Sequence, residues 1–166
     1  LRETERVLEE LLRRAETVSP DAVVVRCSAL RTTTDCRRAY LLTQETLPDA
    51  RRIFPRKRLF LLGELELAAE CRKCIAQGES AAAEQALPLS VLQTDKEELD
   101  LAGTLCTFLL DGELSVTRTA ELLYLHKNTV KYRLQRISDL LGFHPGKMPE
   151  SMQLYRSAAI YRLLRS

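Results

Sequence analysis

No run of apolar residues in this 166-residue sequence approaches the ~20 needed to cross a bilayer as a helix, and no secretory h-region is present. The expected compartment is the cytoplasm, with no membrane partner. Also missing are a glycine-rich phosphate loop, a nucleophile with a matched base and a paired histidine and carboxylate set, so no catalytic residue is assigned and an enzyme is not expected. The five cysteines, Cys27, Cys36, Cys71, Cys74 and Cys106, are odd in number and scattered along a chain without a leader, which reads as free thiols. Cys71 and Cys74 make one C-x-x-C, which offers two thiolates to a metal or to redox chemistry. No second C-x-x-C exists and neither histidine is near it in sequence, so no metal site and no cofactor are expected. An initiator methionine is lacking too. The sequence opens at Leu1 inside a charged amphipathic pattern, LRETERVLEELLRRAE, and reads as a fragment of a longer protein.

What is present is distributed unevenly. Hydrophobic residues make up 45%, enough for an ordinary core in one domain or two small ones. The net charge of +2 conceals a polarity: residues 1–113 hold 16 Lys/Arg against 20 Asp/Glu, a balance of −4, and residues 114–166 hold 9 against 3, a balance of +6. Concentrated positive charge is the footprint of a nucleic-acid partner, because neutralised phosphates release counterions. RNA or an anionic lipid would meet the same charge.

The stretch LSVTRTAELLYLHKNTVKYRLQRISDLLGF, residues 114–143, lies in that basic part and reads as a helix-turn-helix. Ser115 is placed to cap a short helix whose inner stripe is Val116, Ala120 and Leu123, with Ala120 small enough for a second helix to cross closely. Tyr124, Leu125 and His126 form the turn. A second helix is expected from about 127 to 141, with Val130, Leu134, Ile137 and Leu141 inward and Gly142 as its stop. At about 100° per residue, Asn128, Lys131, Tyr132, Gln135 and Arg136 then point away from the stripe, with Lys127 and Thr129 in the opening turn. Lys and Arg meet phosphates or guanine, Asn and Gln pair with adenine, and a helix fits the major groove.

At these residues the sequence resembles a known family. HKNTVKYRLQRI is similar to the H-x-N-T-V/L-x-Y-R-L-x-R-I signature of the C-terminal helix-turn-helix of bacterial purine-catabolism and sugar-diacid regulators, the PucR/CdaR type, and AELLYLH fits the segment before it. A generic helix-turn-helix tends to carry glycine where this chain has Tyr124; a bulky aromatic there is usual in that family. The match extends back to Leu105 and Phe108 and loosely to the final helix. In the family a degenerate cyclase-like α/β domain precedes the DNA-binding domain. The resemblance thus implies a mostly α fold, a C-terminal helix-turn-helix domain at 86–166 preceded by a small, truncated α/β region and linker at 1–85. No GGDEF-like acidic signature is present, so neither cyclisation nor Mg²⁺ binding is implied.

The remaining elements follow the same pattern. Apolar positions Val7, Leu8, Leu11, Leu12 and Ala15 predict a helix over 4–16, and Val23, Val24 and Val25 a buried strand. A helix over 34–47 carries Cys36, Ala39, Tyr40 and Thr43 along one side, and Pro48 and Pro55 bracket a loop or irregular helix. Leu59 to Leu62 reads as a second strand, and 64–77 as a helix stopped by Gly78. The small-residue stretch 78–93, with Pro88, is expected to hold the domain boundary. Thr94 to Glu97 has the form of a capping box opening a helix with Leu99, Ala102, Leu105, Cys106, Leu109 and Leu110 on its apolar face, ended by Asp111 and Gly112. A loop over 145–149 leads to a last helix, 150–164, with Met152, Tyr155, Ala159 and Leu163 inward.

The expected DNA-contacting residues are therefore His126, Lys127, Asn128, Thr129, Lys131, Tyr132, Arg133, Gln135 and Arg136. Asn128 is the leading candidate for a direct or phosphate contact. His126 stands at an N-cap position, with phosphate contact as its second role. Arg133, at the edge of the stripe, is placed to clamp a phosphate or to pair with an acidic neighbour, and Tyr132 to meet a base or sugar or to pack on another helix. Arg156, Arg162 and Arg165 of the last helix either approach DNA or are solvated. The expected function is sequence-specific transcriptional regulation on double-stranded DNA, as a homodimer because one such motif reads only a few base pairs. The alternative is a helical module that binds an acidic protein partner.

Overall fold

Val24, Val25 and Arg26 form a strand too short to hold itself, and the chain supplies its partner only after a long helical crossover, as parallel pairing demands. In the computed structural model, which describes residues 2–28, 30–93 and 99–165, α1 (Arg2–Val18) leads into β1 (Val24–Arg26), α2 (Thr33–Ile53), β2 (Leu59–Leu61) and α3 (Leu62–Ala76). The strands pair Val24 with Leu59, Val25 with Phe60 and Arg26 with Leu61. Then follow α4 (Glu79–Leu92), α5 (Leu101–Cys106), a π-helical segment (Thr107–Asp111), α6 (Val116–Leu123), α7 (Lys127–Leu141) and α8 (Glu150–Arg165). The molecule is mostly helical, with one two-stranded sheet among the described residues.

Contacts divide the chain into two units, Leu1–Arg51 with Pro55–Ala69, and Arg52–Phe54 with Glu70–Ser166. In the first, α1 packs on both strands, and Ala39, Thr46, Ala50, Phe60, Leu65 and Ala68 are buried. Thr32 and Asp35 exchange bonds across the start of α2: the Asp35 carboxylate accepts from the Thr32 N–H at 2.9 Å, and Thr32 Oγ1 accepts from the Asp35 N–H at 3.1 Å. The expected side of this helix is only partly correct. Ala39 is buried and Thr43 half-buried, but Cys36 and Tyr40 are exposed, because the stripe that packs continues through Thr46, Ala50 and Ile53. Pro48 does not end the helix either. It sits on the exposed side, and the burial of Thr46, Ala50 and Ile53 opposite it offsets the lost N–H bond.

In the second unit α4 lies along α8, α5 packs on α7, and the π-helical segment contacts both α6 and α8. The stretch 78–93, expected to contain the boundary, is the helix α4. Its Ala82, Ala86, Leu89 and Leu92 are buried and Pro88 is accommodated within it. The Thr94 to Glu97 capping box lies outside the described residues. Asp100 caps α5 instead, its carboxylate accepting from the Gly103 N–H at 2.8 Å, and Leu99 stands before the helix. In α8 the inward phase differs from expectation. Ala159 and Leu163 are buried as expected, but Met152 is 63% exposed and Tyr155 half-buried, while Ser151, Leu154, Ser157, Ala158 and Ile160 fill the core. Small Ser and Ala side chains let neighbouring helices approach on more than one side, which an apolar-stripe count does not register.

Candidate nucleic-acid interface

The motif is fixed at both ends by its own polar side chains. Ser115 Oγ accepts from the Arg118 N–H at 3.3 Å, and Thr119 Oγ1 donates to the Ser115 carbonyl at 2.7 Å, which closes the first turn of α6. Ahead of it the chain turns sharply: the Gly112 N–H reaches the Thr107 carbonyl at 2.7 Å, and Glu113 and Leu114 both adopt positive φ, 52° and 61°. Gly112 is required by space, since a Cβ there would lie 2.4 Å from Thr119 Oγ1. Arg118 forms an exposed ion pair with Glu113 at 3.2 Å. Tyr124 ends α6 in the left-handed region, φ 55° and ψ 39°, and the Leu125 N–H returns to the Ala120 carbonyl at 2.9 Å. His126 opens α7, its Nδ1 accepting from the Asn128 N–H at 3.2 Å, while its carbonyl accepts from Thr129 and Val130. Gly142 closes α7 at φ 79°.

The two helices pack on each other; Thr119 and Ala120 of α6 and Val130, Leu134 and Ile137 of α7 are buried, and Val116, Leu123 and Leu141 are half-buried. On the opposite side of α7, Lys127, Asn128, Lys131, Tyr132 and Gln135 are exposed, and so is His126 at its start. Thr129 and Arg136 are half-buried on the flanks. Gln135 Nε2 donates to Asp139 Oδ1 at 2.9 Å, four residues along the same face.

Arg133 turns inward. Its Nη1 donates to Thr104 Oγ1 of α5 at 3.0 Å, and its Nε is buried without a hydrogen-bond partner. The partner is thus a buried hydroxyl, not an acidic neighbour. Arg133 follows Val130 by three and precedes Ile137 by four, a spacing that lays it along the stripe.

Arg162 of α8 likewise points into the second unit rather than to solvent. It donates to Asp111 Oδ1 at 3.1 Å and Oδ2 at 2.5 Å, and to the Ile53 carbonyl at 2.6 Å, with side chains 17% and 9% exposed for Arg162 and Asp111. The sequence signal was its place on the row Leu154, Ala158, Arg162, spaced by four, opposite an acid that follows the apolar run TFLL. Burial pushes the nearby Cys106 thiol up to about 12, so it stays neutral beside this pair. Arg156 and Arg165 are exposed, Arg165 lying 5.0 Å from the Tyr161 ring centre. None of the five cysteines is in a disulfide, Cys71, Cys74 and Cys106 being buried, and among the described residues no group of three His, Cys, Asp or Glu is placed to hold a metal. No helix among them is long and apolar enough to cross a membrane.

Two helices crossing over a small residue, joined by a three-residue turn and presenting a cationic, amide-bearing outer face, define a helix-turn-helix domain. Residues 101–160 match the PucR C-terminal helix-turn-helix domain, and this part of the chain belongs to that family. The chain is 29% identical over 118 residues to the carbohydrate diacid regulator of Escherichia coli (strain K12), covering 71% of this chain and 30% of that protein. It is 32% identical over 75 residues to the purine catabolism regulatory protein of Bacillus subtilis (strain 168), covering 45% of this chain and 14% of that protein. The matched part thus spans less than a third of the length of either relative. No solved structure matches.

Proposed function

We propose that this chain is the DNA-binding part of a transcription regulator, with α7 as the helix that enters the major groove. The observation that carries the reading is the outer face of α7, where Lys127, Asn128, Lys131, Tyr132 and Gln135 stand exposed opposite a fully packed Val130, Leu134 and Ile137. Arg136 and Thr129 flank that face, and His126 adds a contact at its start. Arg133 serves in this reading as a strut that seats α7 on Thr104, with Nη2 of the same guanidinium as its candidate donor to a phosphate. The similarity to two proteins named as regulators supports the same reading, and no catalytic role is proposed. The DNA-binding domain takes in 86–166, with the first turns of α4 added, and the parallel β1, α2, β2 arrangement is read as part of a degenerate cyclase-like α/β domain in the cytoplasm.

The regulator is further proposed to act as a homodimer on a repeated or palindromic site. Two recognition helices then enter successive major grooves about 34 Å apart, or a multiple of that. The exposed Val7 and Leu11 of α1 are candidate contacts for the second copy.

The test is a salt titration of duplex binding. If the +6 balance after residue 113 neutralises about six phosphates, log affinity should fall against log salt with a slope of about −5. Fluorescence anisotropy of a labelled duplex between 50 and 200 mM salt measures it. A flat response, or equal affinity for heparin and for every duplex tried, would favour the module that binds an acidic partner.

A further inference from the structure

Tyr124 is placed against two ordinary preferences at once. Its backbone lies in the left-handed region, where a side chain with a Cβ is penalised and glycine is not. The residue is 94% exposed, more than any other exposed large hydrophobic residue among those described. Neither packing nor backbone geometry accounts for an aromatic ring at this position. We propose that Tyr124 contacts the DNA backbone, its ring lying on a deoxyribose and its Oη–H donating to a phosphate, as a positioning contact that holds α7 in register without reading sequence.

The proposal rests on α7 being the groove-reading helix, and the site follows from the turn's place. In such docking the N-terminal residues of the recognition helix reach base edges, so the residues just before that end lie at the rim of the groove, where the sugar-phosphate strand runs. Tyr124 precedes Lys127 by three residues, and exposed His126 stands between. His126 Nδ1 accepts the Asn128 N–H, which leaves Nε2 as the donor of that exposed ring. The turn thus presents two hydrogen-bond donors beside the N-terminus of a helix, which itself favours anions. A phenol suits the place, having an apolar face for the sugar and a hydroxyl for the phosphate. Being uncharged, it displaces no counterion, so its contribution is independent of salt.

That property supplies the test. Wild-type chain, Tyr124→Gly and Tyr124→Phe are titrated against a labelled 30-base-pair duplex of mixed sequence and a second duplex of unrelated sequence, across a series of salt concentrations. Tyr124→Gly should weaken binding to both duplexes about tenfold, and Tyr124→Phe about threefold, with the salt slope unchanged in each. Thermal unfolding of Tyr124→Gly should occur at the wild-type temperature or above it, since glycine accepts the left-handed backbone. Unchanged affinity in both variants, with wild type binding normally, overturns the backbone contact while leaving the reading of α7 intact. A loss confined to one duplex makes Tyr124 a base reader and also overturns it, as does an altered slope. Unchanged DNA affinity with loss of self-association would assign the ring to a second copy of the chain. A wild-type chain that binds neither duplex removes the reading of α7 and this contact together.

Discussion

Helices α7 and α8 are nearly equal in length, 15 and 16 residues, and both carry arginines that the sequence offers to DNA, yet they spend their positive charge differently. Helix α7 is contacted by α5 and α6 and more lightly by α4, while Lys127, Lys131 and the residues in phase with them remain outside. Helix α8 is packed by α4, α5 and the π-helical segment, and four consecutive residues, Ser157 to Ile160, are buried. Its Arg162 is drawn in with them and meets Asp111. A cation's destination is therefore set by where the neighbouring elements lie around its helix as well as by its own periodicity. Arg133 makes the same point within α7, where one step around the helix from the outer face ends at Thr104.

The contrast can be broken most severely at the seam of α7. Val130 is fully buried, and Val130→Asp would place an unpaired carboxylate between the two helices of the motif. Against a typical stability of roughly 5–15 kcal/mol, that cost should unfold the C-terminal part, seen as lost helical circular dichroism and lost amide dispersion. A cooperative, folded Val130→Asp would mean that the inner and outer faces of α7 are exchanged. The next effect belongs to α8: Arg162→Ala leaves Asp111 buried without its partner and should cost about 3–5 kcal/mol in urea denaturation. Replacing both, as Arg162→Met with Asp111→Leu, should recover much of this, because the penalty lies mainly in the uncompensated charge. A loss below about 1 kcal/mol in the single variant would put Arg162 in the class of surface cations, and the comparison would collapse. The smallest change is expected at Lys131, where alanine should shift stability by no more than about 0.5 kcal/mol while making the salt slope of duplex binding shallower by about 0.9. A stability loss with an unaltered slope would place Lys131 among the struts.

What was legible in the sequence was the part governed by near neighbours along the chain. Ser115, His126 and Gly142 cap and stop the two motif helices where local chemistry places them, and Val130, Leu134 and Ile137 occupy the inner face that their spacing dictates. The expected turn, Tyr124 to His126, is the observed one. What the sequence did not reveal depends on contacts across the fold. Pro48 and Pro88 lie within helices because buried residues on either side of each hold the helix together, and the phase of α8 follows small residues whose burial reflects the approach of other helices. The π-helical segment and the positive φ angles of Glu113 and Leu114 have no compositional sign either. They arise where the chain must turn from α5 into α6 while Gly112 admits Thr119.

The bonds of Arg162 also impose an order in time. They join residues 51 and 109 positions apart, to Asp111 and to the carbonyl of Ile53. A ribosome adds roughly 5–20 residues per second, so the 51 residues between Asp111 and Arg162 take roughly 3–10 s to synthesise. Throughout that interval the acid at the entrance to the motif has been made and its counterpart has not. Helix α7 is complete in sequence at Leu141, well before Arg162 is made. Helix α7 and the helices packed on it, α4, α5 and α6, are thus all synthesised before these bonds can form, and the nascent chain carries Asp111 without its counterpart throughout that interval.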